Sequence, residues 1–315
     1  MLRFSLVAAV SVWAGAGVAD VPRVATDIAP VHSLVSQVME GVGAPDLILR
    51  PGASPHDYAL RPSEARALQS ADIVVWVGEA LTPWMSKPLE SLSPDAQKLE
   101  LMEVEGTVLH DFRDLSEQEE EHGREEDHHE HDEHTDAHGH DHEGADPHVW
   151  LDPANARVWL THIADALSEL DPDNAPLYRK NAQAARDRLA GLEGDLAKRL
   201  SAMQGVGYIS FHDAYQYFEK RFALEPVGTI SLSDASTPGP ARLAALRDRV
   251  AGSGVRCAFS EPQFDTRLFQ AAIDGEPVKT YELDPLGVGL EPGAGLYPAL
   301  LEKMAASFEA CAKGE

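Results

Sequence analysis

Short runs rich in β-branched and aromatic residues alternate along this chain with longer segments whose apolar positions recur every three or four residues. The short runs predict strands at 24–28, 46–50, 73–77 and 99–103, and the periodic segments predict helices at 31–39, 62–70 and 83–92. Strands separated by helices build parallel βαβ units. Beyond residue 153 the pattern changes. Residues 154–170 read as one helix, and 173–200 place Leu177, Ala184, Leu189, Leu192, Leu196 and Leu200 along one stripe. At 1.5 Å per residue this second helix is about 40 Å long, too long for an ordinary crossover. It predicts a rigid bridge between two bodies, with Asp173 at its N-cap and Pro176 in its first turn. The alternation then restarts, with strands at 208–211, 225–230, 255–260 and 278–283 and helices at 214–222, 240–251, 266–273 and 297–311.

The predicted fold is therefore α/β: two Rossmann-like lobes, residues 20–153 and 203–315, joined through helices at 154–202 that include the single long rigid one. In open α/β sheets ligands bind beyond the carboxyl ends of the strands, which directs attention to a cleft between the lobes. Residues 1–19 stand apart from this scheme. Arg3, an apolar run at 4–12 and the small residues ending Gly17-Val18-Ala19 have the form of a secretory signal peptide. No later stretch approaches the roughly 20 apolar residues of a membrane helix, so an exported, soluble protein is expected.

Charge adds a second feature. Residues 117–146 hold fourteen Asp and Glu against the one base Arg124, half of the net charge of −26, together with eight histidines: His122, His128, His129, His131, His134, His138, His140 and His142. So polar a run cannot bury a core, and imidazole with carboxylate suits zinc and its first-row neighbours. It reads as a disordered metal-attracting loop inserted in the first lobe, binding additional zinc weakly. The acidic balance excludes nucleic acid as a partner, since phosphate binding needs clustered Lys and Arg. Two cysteines, Cys257 and Cys311, are too few for a thiolate zinc site, and in an exported chain they are expected to form a disulfide.

Six histidines lie outside the insert: His32, His56, His110, His148, His162 and His212. His56, in Pro55-His56-Asp57, and His212, in Phe211-His212-Asp213, each follow a predicted strand with a carboxylate beside them. His148 stands where the insert rejoins the fold, in Asp146-Pro147-His148-Val149-Trp150-Leu151-Asp152-Pro153. These three are the candidate zinc ligands, with Asp57, Asp152 and Asp213 as candidate partners for their second ring nitrogens. His32, His110 and His162 are assigned packing or surface roles. Three histidines around an open position also describe a catalytic zinc centre. Against a hydrolase, the chain carries no His-Glu-x-x-His motif. A zinc buffer working through the insert alone would leave two α/β lobes without a purpose.

The motifs Gly52-Ala53-Ser54-Pro55-His56-Asp57-Tyr58, Arg61-Pro62-Ser63, Asp146 to Pro153 as quoted above, Phe211-His212-Asp213-Ala214-Tyr215, Ser260-Glu261-Pro262-Gln263 and Leu283-Asp284-Pro285-Leu286-Gly287 resemble those of the metal-specific solute-binding proteins of bacterial ABC transporters. The likeness runs from Val21 onward and is greatest to the zinc-uptake branch, whose members carry an acidic His-rich loop in this place. It implies two lobes joined by one rigid helix, zinc in the inter-lobe cleft, and His56, His148 and His212 as ligands. It also implies a periplasmic carrier rather than an enzyme, a monomer that delivers zinc to a membrane permease, with a periplasmic zinc chaperone as a further expected partner. Some zinc-binding members place a glutamate before the first histidine; here that position is Pro55. The fourth coordination place then falls to Asp284, to water or to a residue of the insert.

Overall fold

The computed structural model describes residues 21–113, 144–231, 254–264 and 278–314, with positions 244, 247, 248, 250, 270 and 273 between them. The expected signal peptide, the His-rich insert up to residue 143 and most of the helices expected at 240–251 and 266–273 lie outside the described residues. Strands β1 (Val24–Thr26), β2 (Asp46–Leu47), β3 (Ile73–Trp76) and β4 (Gln97–Glu100) form a parallel sheet in the order β2-β1-β3-β4. Strands β5 (Tyr208–His212), β6 (Gly228–Ser231), β7 (Cys257–Ser260) and β8 (Lys279–Glu282) repeat it as β6-β5-β7-β8. The two α/β lobes expected from the alternation are thus present, each with its strand order reversing beside its first strand.

Both faces of each sheet are covered, which is why β3 reads as an unbroken apolar run. Ile73 and Val75 face a core that continues through both lobes, while Val74 and Trp76 face a smaller cluster under α2 (Pro62–Ser70) and α3 (Ser86–Leu92). In the second lobe Tyr208, Cys257 and Phe259 join the shared core and Ile209, Phe211 and Ala258 the outer one. Strand β4 lies two residues earlier than expected. It is an edge strand whose polar residues pair on one side only, so its apolar pattern starts late.

Helices α4 (Pro153–Leu170) and α5 (Ala175–Leu200) are joined by four residues and pack against each other. The 26 residues of α5 span about 39 Å. It touches both α1 (Ala29–Val38) of the first lobe and α7 (Leu296–Lys313) of the second, as a bridge should. Its N-cap is Asn174 and not Asp173. The acid that matters is Asp171, whose Oδ2 accepts from Asn174 Nδ2 (2.7 Å) and from the Tyr178 hydroxyl (2.9 Å). Its carboxylate braces the start of α5, while its backbone N–H closes the end of α4 on Leu167 O. Cys257 and Cys311 form the expected disulfide, tying α7 to β7. The lobes also meet directly. Ser33 in α1 donates to Ala294 O and accepts from Tyr297 N, and the Tyr297 hydroxyl donates to Trp150 O. Among the described residues no helix is long and apolar enough to cross a membrane.

Candidate metal centre

The three histidines arrive from three separate segments. His56 lies on the loop between β2 and α2, which is braced from the first lobe: Trp84 Nε1 donates to Pro55 O (2.7 Å), Arg50 Nε donates to the Tyr58 hydroxyl (2.6 Å), and that hydroxyl donates to Glu64 Oε1 (2.8 Å). Glu64 Oε2 in turn accepts from Arg61 N (2.7 Å), closing the first turn of α2 behind Pro62. His212 is the last residue of β5, at the carboxyl end where the second sheet reverses its order. Glu261 follows the neighbouring strand β7, and its Oε1 accepts from His212 Nδ1 at 2.7 Å. His148 opens a short 3-10 turn, Val149–Leu151, and Asp146 Oδ1 accepts from both its backbone N (3.0 Å) and its Nδ1 (2.7 Å).

Two of the three imidazoles therefore have Nδ1–H bound to a buried carboxylate, which fixes the tautomer with the lone pair on Nε2. Burial pushes the Asp146 carboxyl up, but hydrogen bonds from His148 and Gln216 outweigh it and hold it below the usual range. His148 and His212 are themselves buried, and His56 half-buried. Ring centres stand 5.5 Å apart for His56 and His148 and 5.3 Å for His148 and His212. With zinc–nitrogen bonds of about 2.0–2.1 Å, two imidazoles at a tetrahedral angle have centres about 5.2 Å apart. Among the described residues no three His, Cys, Asp or Glu side chains have donors already gathered for a metal. The His56–His148 and His148–His212 spacings exceed that figure by a few tenths of an ångström at most. The cavity they line with Trp150, Glu261 and Gln263 has a volume of about 10 Å³, the room of a single water-sized sphere.

Helix α6 (Gln216–Phe222), just after His212, holds the His148 segment from the second lobe. Gln216 Nε2 donates to Asp146 Oδ2 (3.0 Å), the Tyr217 hydroxyl donates to Asp146 O (2.8 Å), and Arg221 grips Asp152 with Nε on Oδ1 (2.8 Å) and Nη2 on Oδ2 (2.7 Å). At the base of the insert Arg113 pairs with both Asp213 and Glu219. Burial pushes the Glu219 carboxyl up to about 7 in spite of that partner.

These contacts reassign the carboxylates. Asp57 is exposed, Asp152 caps α4 at Ala154 N (2.8 Å) and binds Arg221, and Asp213 is taken by Arg113. None of the three bonds to a candidate ligand's ring; Asp146 and Glu261 do so instead. Asp284 is buried beyond β8. Its Oδ1 accepts from Leu286 N (3.1 Å) and Gly287 N (2.8 Å), while its Oδ2 has no hydrogen-bond partner and lies 3.9 Å from Lys303 Nζ. It stands behind Pro285 and Leu286, which do line the cavity. The remaining histidines pack: His32 Nε2 contacts Pro45 O (3.2 Å), His110 rests on the Tyr217 ring, and His162 Nδ1 contacts Val158 O (3.2 Å).

Comparison with known proteins shows the family and the fold. The chain is 46% identical over 301 residues to the high-affinity zinc uptake system protein ZnuA of Paracoccus denitrificans (strain Pd 1222), covering 93% of this chain and 92% of that one. It is 39% identical over 303 residues to the protein of the same name from Brucella abortus (strain 2308), covering 91% of each. A crystal structure of ZnuA superposes with a TM-score of 0.73 at 21% identity, over 92% of this chain and all of that one, and so shares its fold. The family model described as zinc-uptake complex component A, periplasmic, matches residues 24–311, and the chain belongs to that family.

Proposed function

We propose that this protein is a periplasmic zinc carrier that captures one Zn²⁺ through His56, His148 and His212 and delivers it to the membrane permease of an ABC transporter. The observation that carries the reading is the convergence of three imidazoles from separate segments on a cavity of about 10 Å³, two of them pinned by carboxylates. Three nitrogen donors favour zinc over manganese, which prefers oxygen. Against a hydrolase, the family described as a zinc-uptake component matches the chain over residues 24–311. The zinc-uptake names of the relatives and the periplasmic description of the family point the same way. Asp284, with a buried carboxylate oxygen that makes no hydrogen bond, is the candidate for the fourth ligand or for a charge close behind it. The insert is proposed to bind further zinc weakly. A monomer with a permease, and with a zinc chaperone as a second partner, remains part of the same proposal. Chelator competition tests the core of it. Each single His→Ala variant is expected to lose orders of magnitude in zinc affinity, and a triple variant that still binds one ion tightly would refute the assignment.

A further inference from the structure

Gln263 is, among the described residues of the cavity wall, the side chain whose polar atoms all lack a partner, while Glu261 keeps only its second carboxylate oxygen unpaired. Its side chain lines the same space as His56, His148 and His212, three residues past the end of β7. Both Nε2 and Oε1 are shut off from solvent and make no hydrogen bond. An amide buried in that state is disfavoured unless something occupies the space before it. Of the carboxylates near the site, Asp146 is engaged through both oxygens, Glu261 holds an imidazole through Oε1 with Oε2 unpaired, and Asp284 holds a turn through Oδ1 and stands behind the cavity wall. Pro55, beside the first ligand, brings no side-chain donor to the ion.

We infer that Gln263 secures the fourth coordination position by hydrogen bonding a water molecule carried on the ion, an inference that rests on zinc being held by the three histidines. A water on zinc is polarised and is a strong hydrogen-bond donor, so it selects the Oε1 edge of the amide. A neutral amide suits this role better than direct ligation, because zinc takes thiolate, imidazole and carboxylate donors in proteins and leaves its open place to water. The arrangement fills the coordination shell without adding a negative charge to the site, so that release to a partner need not break a carboxylate–zinc bond.

The variant Gln263→Leu separates this role from a structural one. Leucine keeps the bulk and removes two buried polar atoms that have no partner, so the metal-free variant is expected to melt at or above the wild-type temperature. Its zinc affinity, measured by chelator competition, is expected to fall about tenfold, the lower end of what loss of such a partner costs. Its cobalt(II) complex is expected to keep its three-nitrogen visible spectrum with the bands displaced. Gln263→Glu is expected to change that spectrum further, as a carboxylate takes the water's place. Unchanged zinc affinity in Gln263→Leu would overturn the inference, and so would a joint fall of affinity and metal-free stability. The His148→Ala variant run alongside separates the two claims: if it binds zinc like the wild type, the histidine site fails and the water with it.

Discussion

Replacing Asp146 tests how far the affinity of the centre depends on groups that never touch the ion. Asp146 Oδ1 accepts from His148 N at 3.0 Å and from Nδ1 at 2.7 Å, and Oδ2 accepts from Gln216 at 3.0 Å. Asp146→Ala leaves the imidazole free to rotate and to carry its proton on Nε2, where it blocks the lone pair the ion needs. Loss of such a carboxylate costs roughly 10–100-fold in metal affinity, or about 1.4–2.7 kcal/mol. Asp146→Asn retains one oxygen for the His148 ring and gives up the charge, so its loss is expected at or below the lower limit. The expected order of zinc affinity is wild type, then Asn, then Ala. Chelator competition at fixed pH and ionic strength measures it, with the melting temperature of each metal-free variant as the control for folding. Asp146→Ala that folds normally and binds zinc within twofold of the wild type would show that His148 needs no such partner, or that it is not a ligand.

Three further outcomes are expected. Burial pushes the Asp27 carboxyl up to about 7 against hydrogen bonds from Val77 N and Ile28 N; the folded state thus holds this proton to a higher pH than the unfolded chain, near 4. Its share of stability is complete below about pH 4 and is lost as pH rises to about 7, so Asp27→Asn should flatten that slope in melting curves, and an unaltered slope would refute the assignment. Deleting residues 117–143 should abolish weak zinc binding in calorimetry and leave the tight site intact, because cleft ligands held by the fold need no ordering of flexible chain; loss of tight binding would mean that the insert supplies a ligand. Reducing the Cys257–Cys311 bond, which closes a separation of 54 residues, should lower stability by about 4 kcal/mol in the chain-entropy picture, and denaturant unfolding with and without reductant reads it.

The lobes and the long helix were legible because they rest on local periodicity: an apolar run such as 73–76 declares a strand covered on both faces, and the stripe from Leu177 to Leu200 declares a helix. The three candidate ligands were legible for a related reason, since each follows a strand or re-enters the fold beside apolar residues. Their carboxylate partners were not. Asp57 and Asp213 were expected because they adjoin a histidine in sequence, yet neighbours along an extended segment point in opposite directions. Asp146 lies two residues from His148, on its side of the chain, and could have been found by that spacing. Glu261 could not. Its approach to His212 depends on β7 lying beside β5 while β6 takes the other flank, and strand order is written in no local pattern.

The same non-local order explains why the site is rigid on one side. The segment from Asp146 to Asp152 arrives from the insert in the first half of the chain, yet Gln216, Tyr217 and Arg221 of α6 bind it from the second lobe, and Trp150 Nε1 donates to Pro285 O beyond β8. Its bonds to the first lobe run through Asp146 N, which donates to His110 O (2.8 Å), and through Asn155, which joins Val108 to Val149. His148 and His212 are therefore held against one frame, with Asp146 and Glu261 setting their rings. His56 is held against another, by Trp84 and by the Arg50–Tyr58–Glu64 chain. A binding site of this kind has two ligands whose spacing is set by short contacts to the second lobe and a third whose distance depends on how the lobes meet. The contacts that set that distance, Ser33 with Tyr297 and Ala294, lie in the shared core and away from the ion. Packing of α1 against α7 thus bears on metal affinity as directly as the ligands' own neighbours do, because any shift between those helices moves His56 relative to the fixed pair.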